Sequence, residues 1–536
     1  MKNRNIIFTT ILLVLGFLAL LPTAQGVVPA PDGGYPGGNT AEGQNALLSL
    51  NVNTGTNNTA VGSFSLKSNV QGQLNTAVGA GTLFSNTAHR NTAIGGAALF
   101  SNTEGQYNTA VGSLTLLNNT TGILNTAIGD TALFSNTEGF YNTAAGVGAL
   151  FDNTTGEANT AIGYQALYSN TFGIENTANG FRALYNNTTG GANTANGVSA
   201  LYSNTTGGGN TANGHDALYH NTTGEGNTAN GILALFSNTE GNANTANGSQ
   251  TLASNTIGRG NTANGYQALH NNTSGGNNTA NGLEALFSNS TGEANTANGR
   301  TALRSNTTGG FNTAIGRSAL FDNTSGGNNI ALGYLSGANL TTGDYNIDIG
   351  NLGFPNESGT IRIGSNGTQT RTFIAGIREA TAAGGATVFV DSAGQLGTLT
   401  SSRRFKDQIK PMDKASEALL ALNPVSFRYK KEIDPEGIPQ FGLVAEEVAK
   451  INPALIVRDK EGKPYSVRYE QVNAMLLNEF LKEHRTVQEL KSAAVKQEKT
   501  IAQQQKQIEA LTAGLQKVSA QIELRKVAPN LVRNNP

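Results

Sequence analysis

The chain contains no cysteine in 536 residues. That excludes disulfides, thiolate metal sites and lipidation of a mature N-terminal cysteine, so stability must come from stacking and from association of chains. Charge is also scarce: charged residues make up 13%, the formal net charge is −1, and no long basic run occurs. The electrostatic footprint of nucleic-acid binding is therefore missing, and no nucleic-acid partner is expected. Histidine stands only at 89, 215, 220, 270 and 484, and no pair has metal-ligand spacing. No metal and no cofactor is expected. His215 and His220 fall at different repeat positions and read as solvated surface.

Only one long apolar run exists, and it lies at the start. Lys2 and Arg4 precede an apolar stretch from Ile6 to Leu21, followed by Ala24-Gln25-Gly26. This is the pattern of a cleaved Sec-type signal over residues 1–26, with Val27 as the mature start and a secreted or cell-surface product. An uncleaved anchor is the alternative, disfavoured because the run is short for a spanning helix. With no second run, the mature chain has no helical span of its own.

What the chain has in excess is glycine, 67 residues, and a pentad, Asn-Thr-Ala-x-Gly. The pentad begins at Asn58, Asn75, Asn91, Asn108 and Asn125 and returns every 17 residues through Asn312, with altered copies at Asn329 (NIALG) and Asn346 (NIDIG). Of these 18 starts only Asn75 to Asn91 departs from the period. A strict period over so long a stretch means one unit stacked many times. The full unit reads N-T-A-x-G-x-x-A-L-x-S-N-T-T-G-x-x, as from Asn159 to Ile174. Its glycines and Asn-Thr clusters are turn chemistry, Thr-Ala-x makes a very short strand, and Ala-Leu-Phe/Tyr supplies apolar side chains that one coil lays on the next. The expected fold is mainly β: a parallel β-solenoid or β-roll of about 18 coils over residues 58–350, after an N-terminal segment 27–57. With coils about 4.8 Å apart the rod would be on the order of 85 Å long.

The fourth pentad position carries a second pattern. It is Val, Ile or Ala from Val61 to Ile162, then Asn at 179, 196, 213, 230, 247, 264, 281 and 298, then Ile315. Stacked, these would form an Asn ladder bonded coil to coil. Facing inward it would be a polar axis or an ion-holding channel; recent duplication of one unit explains the same pattern. Acidic residues (Glu104, Glu138, Glu157, Glu225, Glu240, Glu293) recur near one turn and mark a turn tip, not paired catalytic carboxylates. Rows of Thr and Asn leave a regular, weakly charged face. It suits multivalent binding to a surface glycan or host-surface ligand, a passive spacer, or ice.

The repeat from Asn58 to Gly350 resembles the head repeats of YadA-like trimeric autotransporter adhesins, whose coils also read Asn-x-x-Ala-Ile-Gly. The resemblance implies a trimeric left-handed parallel β-roll. The period of 17 is longer than is usual in those heads, and no C-terminal membrane barrel segment follows.

After Gly350 the period stops. Thr360–Ile363, Thr372–Ala375 and Ala386–Val390 alternate as short strands between Gly-rich turns and predict a β neck over 351–400. From Ser401 the chain becomes charged and conventionally globular, predicting a small α+β domain over 401–479. Lys414 to Leu422 reads as a helix, Val425–Tyr429 and Phe441–Leu443 as strands, Ala445–Ile451 as a helix, and Ile456–Arg458 with Tyr465–Arg468 as a hairpin. A long helix over 480–525 follows, before a tail at 526–536. Phe480, Val487, Ala494, Ile501, Ile508, Leu515 and Ile522 stand seven apart, with Glu483, Leu490, Gln497, Gln504, Leu511 and Val518 as companions. This predicts a coiled coil, its Ile-rich layers favouring three strands; a helix folded back on its own domain is the alternative.

At the junction stands Ser401-Ser402-Arg403-Arg404-Phe405-Lys406. From here to about Glu489, including Asn423–Tyr429 and Phe441–Glu447, the chain resembles the endosialidase-type intramolecular chaperone domain, a self-cleaving serine peptidase family of tail fibres. The family motif Ser-Asp-x-Arg-x-Lys maps onto Ser401 as nucleophile, Arg404 as supporting arginine and Lys406 as base; Ser402 stands where the family has Asp. The chemistry is coherent in these residues. A serine hydroxyl needs a base, a neutral amine can be one, and desolvation with the like charges of Arg403 and Arg404 would lower the Lys406 pKa from about 10.4. Ser401 would attack the Thr400 carbonyl and free residues 401–536, acting once on its own chain. A basic surface turn without cleavage is the bland alternative.

The resulting expectation is an exported homotrimeric fibre whose C-terminal domain drives trimerisation and then cuts itself off between Thr400 and Ser401. The alternatives are a phage-derived tail-fibre-like protein that binds polysaccharide, a passive fibre without cleavage, and a processing enzyme acting on other chains.

Overall fold

A computed structural model describes residues 35–526, apart from 366, 376, 378–382, 392 and 460. The signal read at 1–26 lies outside the described residues, as does the tail from 527. The chain divides into two compact units, Met1–Thr372 and Phe373–Pro536.

The first unit is a parallel β-solenoid. Each coil contributes one three-residue strand, from Thr40–Glu42 to Ile347–Ile349, and the strands join a single sheet of 20. Register is strict: Thr194, Ala195 and Asn196 lie against Thr211, Ala212 and Asn213, and the same holds coil after coil. Side chains alternate along a strand, so the middle Ala is wholly buried while Thr and the variable residue point outward. That alternation settles the position of the Asn ladder. Asn196, Asn213, Asn230, Asn247 and Asn264 each donate to the next Asn at 2.7–2.8 Å, but they do so on the partly exposed outer face. The ladder exists and is no inner axis or channel.

The pentad glycine ends the strand, and the stack requires it. Gly214 sits at φ 148°, and a Cβ there would lie 2.4 Å from the carbonyl oxygen of Gly231 in the next coil. Two residues carry the coil onward into the core: Ala217 and Leu218, both wholly buried. Leu218 lies in the left-handed region at φ 52°, as do its equivalents Leu201 and Leu235. For a bulky residue that conformation is an outlier costing on the order of 1–2 kcal/mol, and burial of the isobutyl group offsets it by about 1.5–3 kcal/mol. Leu218→Ala should therefore cost about 2–5 kcal/mol. Because each coil touches only its neighbours, hydrogen exchange should rise between Leu201 and Leu235 and stay unchanged in distant coils. The next residue stacks outside the Leu core: Phe134 and Phe151, both buried, and Tyr168, Tyr185, Tyr202, Tyr219 and Phe236 form one aromatic column at centroid spacings of 4.9–5.4 Å.

Polar columns also run through the interior, and they are made by other asparagines. The first pentad Asn is buried in every coil. The Asn210 amide N–H donates to Asn193 Oδ1 at 3.0 Å, and its Nδ2 donates to the Gly224 carbonyl at 2.8 Å. A second column lies eleven residues on, where Asn221 donates to Asn204 Oδ1 at 2.8 Å and to the same Gly224 carbonyl at 3.0 Å. Buried amides must be paired, and here each coil supplies the partners of the next. The 16-residue coil keeps the scheme, since Ala88 gives the carbonyl that both columns need.

The solenoid extends beyond the coils counted in sequence. Asn39-Thr40-Ala41-Glu42-Gly43 is a further pentad, 19 residues before Asn58, and its strand pairs in register with Thr59–Val61. At the other end Ile361–Ile363, expected in a neck, pairs in parallel with Ile347–Ile349 as a twentieth rung. Residues 372–375 form no strand, and only Phe389–Val390 pairs, with Leu396–Gly397.

The second unit holds a small α+β region. Val425–Phe427 pairs antiparallel with Gln440–Gly442, and Ile456–Arg458 with Pro464–Val467. Helices α1 (Ala445–Ile451) and α2 (Tyr469–Lys526) complete it. The expected helix after Lys414 is a 3₁₀ helix, Asp413–Ala421, in which Ser416 Oγ turns back to the Asp413 carbonyl at 3.3 Å, a local bond that competes with α-helical pairing. The core gathers Val448, Leu455, Ile456, Val467 and Met475. Buried Ser416 also fastens the 3₁₀ helix to α2 through Glu479 and Asn478, and Lys482 bonds Glu479 at 2.7 Å. Lys482 and Ser416 hold the Glu479 carboxyl below its ordinary range.

Candidate functional site

The site forms at the start of the α+β region, where one tight turn brings two reactive groups together. Arg403–Phe405 is a single 3₁₀ turn, closed by Phe405 N–H to the Ser402 carbonyl at 3.0 Å and by Lys406 N–H to the Arg403 carbonyl at 3.1 Å. The turn reverses the chain enough that Lys406 Nζ donates to Ser401 Oγ at 3.2 Å. The hydroxyl and the amine are thus within hydrogen-bond reach, the geometric condition for general-base activation of a serine. The spacing of five residues is what one such turn can bridge.

The other motif residues take different places. Arg404 does not join the pair; its guanidinium lies over the Phe405 ring, 4.6 Å from the centroid. Ser402 is the N-cap of the turn, with extended backbone (φ −64°, ψ 140°) and no side-chain capping bond. An Asp at an N-cap accepts from the first free amides of a helical turn, so the residue by which this chain departs from the family motif occupies the position where a carboxylate would brace the turn. Ser401 and Lys406 are both exposed. The desolvation expected around Lys406 is not provided by its own chain.

α2 continues well beyond the core. Of its 58 residues only Met475 is buried, and the heptad residues Ile501, Ile508 and Leu515 are 57%, 54% and 69% exposed. Phe441, on a strand of the same region, is 87% exposed. Among the described residues no helix is long and apolar enough to cross a membrane.

Residues 401–457 match the family model described as chaperone of endosialidase. The match begins at Ser401 itself and ends within the hairpin strand Ile456–Arg458. No curated protein and no solved structure matches the chain. A repetitive β-solenoid followed by a region similar to this chaperone family marks a tail-fibre-like protein with a C-terminal chaperone.

Sequence reasoning placed Ser401 and Lys406 through the motif. It did not single out Asp348, Glu357 and Arg362 at the end of the solenoid, although one signal was available: Asp348 stands where every earlier coil has Ala.

Proposed function

We propose that this protein is an exported homotrimeric fibre whose C-terminal region assembles three chains and is then released by one autoproteolytic cut between Thr400 and Ser401. The observation that carries the reading is the Lys406 Nζ–Ser401 Oγ hydrogen bond at 3.2 Å at the first residue of the chaperone-like stretch. Lys406, as the neutral amine, takes the hydroxyl proton while Ser401 Oγ bonds to the Thr400 carbonyl carbon. The Thr400–Ser401 C–N bond then breaks, the nitrogen leaves as the amine, and water hydrolyses the ester to give a Thr400 carboxylate and a fragment beginning at Ser401.

Assembly and cutting are coupled by solvent. An amine in water is a poor base at neutral pH, and both groups are exposed in one chain. Neighbouring chains supply the missing cover, and the exposed apolar residues Phe441, Phe405 and the α2 seam are the surface they would bury. Cleavage after assembly makes the trimer kinetically locked, because the fragment that set the register is gone. The shaft offers surface glycans a long repeated face: beyond Glu42 no charged residue stands in either outward row of the strands, and weak contacts add along its length.

The direct test is the N-terminus and mass of the products of the full chain. A fragment beginning at Ser401 supports the reading; one intact chain under assembled conditions overturns it. Ser402→Asp tests the turn. An Asp cap stabilises a helical turn by about 0.5–2 kcal/mol relative to an uncapped one, so the variant should release its fragment roughly two- to thirtyfold faster, 1.4 kcal/mol being tenfold. An unchanged time course would mean that the turn does not limit the reaction.

A further inference from the structure

The last coils of the solenoid differ from the rest in a coordinated way. Asp348 occupies the inward strand position that is Ala in the coils before it, it is 1% exposed, and neither carboxylate oxygen has a hydrogen-bond partner. The coil beneath has Gly337 where the core Leu stands elsewhere, and the following loop has Gly353. A Cβ on either glycine would come within 3.2 and 3.0 Å of Asp348 Oδ2. Leu340 takes the place of the second-column Asn, and that column ends at Asn323, whose Oδ1 is unpartnered. Volume removed at one position and a carboxylate added at the next are a compensated pair, not decay of the repeat.

The groups facing Asp348 are Glu357 and Arg362. Arg362 is its register partner on the adjacent strand, yet the guanidinium is turned away. Nε lies 3.0 Å from both Glu357 oxygens, Nη2 lies 2.7 Å from Oε2, and the guanidinium carbon stands 4.5 Å from the Phe354 ring centroid. Glu357 also accepts from the Phe354 amide at 2.8 Å, and its carbonyl accepts from Nδ2 of Asn346, the last pentad Asn, at 2.8 Å. Glu357 therefore holds the segment 351–359 over the end of the core, and Arg362 holds Glu357.

We propose that Asp348, Glu357 and Arg362 form a pH-operated latch at the end of the shaft. While Asp348 is protonated, Arg362 stays on Glu357 and the segment is closed. When Asp348 ionises, the buried and unpaired charge draws Arg362 across one strand, Glu357 loses its partner, and the segment opens. An unpaired buried carboxylate is costly enough to compete for the nearest cation.

The sign follows from the two carboxyls. Burial first, and the Glu357 charge second, push the Asp348 pKa up from 3.8 to about 6, with Arg362 opposing. A raised carboxyl contributes stability below about 3.8 that is lost as pH rises through about 6. At Glu357 burial raises the pKa, but Arg362 and the Phe354 amide outweigh it and lower the net value. The stability from that pair is lost as pH falls. The segment is tightest in mild acid and loosens toward neutrality.

Hydrogen exchange over 351–360 in the full chain, compared with Asp348→Ala at each pH, tests this. The intrinsic exchange rate cancels in the ratio, and Ala, which every earlier coil carries at this position, removes the titrating carboxyl while the space it leaves beside Gly337 is the same at every pH. The wild-type to variant exchange ratio should be near one at pH 5 and rise about tenfold or more by pH 7.5. A ratio independent of pH overturns the latch. Glu357→Gln should open the segment at both pH values; protection equal to wild type in that variant overturns the role of Glu357 as the catch.

Discussion

Ser401→Ala is expected to leave a single full-length band on a denaturing gel where the parent chain resolves into two fragments. The change removes only Oγ from an exposed side chain, so folding and assembly should be untouched while the nucleophile is lost. Rate should fall by at least about a thousandfold, the scale on which removing a catalytic nucleophile acts. Lys406→Arg is the sharper companion. Arginine keeps the positive charge and can still bond to Ser401, but its guanidinium does not give up a proton in proteins. If Lys406 is the base, Lys406→Arg should be as inactive as Ser401→Ala; if it only positions the serine, much of the activity should survive. Cleavage of Ser401→Ala at the parental rate would falsify the assignment outright.

Introducing Asp at both Ile501 and Ile508 is expected to convert a trimer into monomers and to abolish cleavage with it. Both residues belong to the seven-residue series on α2 and are more than half exposed in the single chain. A helix of 58 residues with one buried side chain has little tertiary packing to hold it, and long helices in water depend on such packing. In a three-stranded seam each substitution would bury a carboxylate per chain, at several kcal/mol per ion. Light scattering reads the assembly and the gel reads the cut. Should the double variant remain trimeric, the seam lies elsewhere. If it is monomeric and still cleaves at the parental rate, Ser401 and Lys406 need no cover from neighbouring chains, and the solvent coupling proposed above is wrong.

The two ends of the chain differ in how directly their sequence reads as structure. In the solenoid, period and turn residues determine that coils stack, and the α1 boundaries, Ala445–Ile451, are those expected from pattern. Asn39–Gly43 escaped the period because two extra residues separate it from Asn58, while the hydrogen bond from the Asn58 amide to Asn39 Oδ1 at 2.9 Å shows that the coil closes regardless. The first neck strand was misplaced for a related reason: Ile361–Ile363 no longer carries the pentad, but backbone pairing does not require it. The pair Ser401 and Lys406 was legible because a single local turn joins them, whereas the exposure of Lys406 was not, since burial depends on what the rest of the assembly brings near.

Sequence alone determined the repeating unit, its period, the absence of any thiol or metal chemistry built on cysteine, and the residues proposed to cut the chain. Tertiary structure decided which face each column takes. The eight-residue Asn row looked equally able to line the interior or the surface. It lies outside because Ala, two residues after the pentad Asn, occupies the one inward strand position. The buried columns are instead the asparagines that begin and follow each turn, where backbone carbonyls such as that of Gly224 lie within reach. Asp348 reads as a lapse in the repeat until Gly337 and Gly353 are seen around it. The physical reason is the same throughout. A short-range pattern specifies local conformation, while inside and outside, paired and unpaired, are properties of neighbours that meet only when the coils stack.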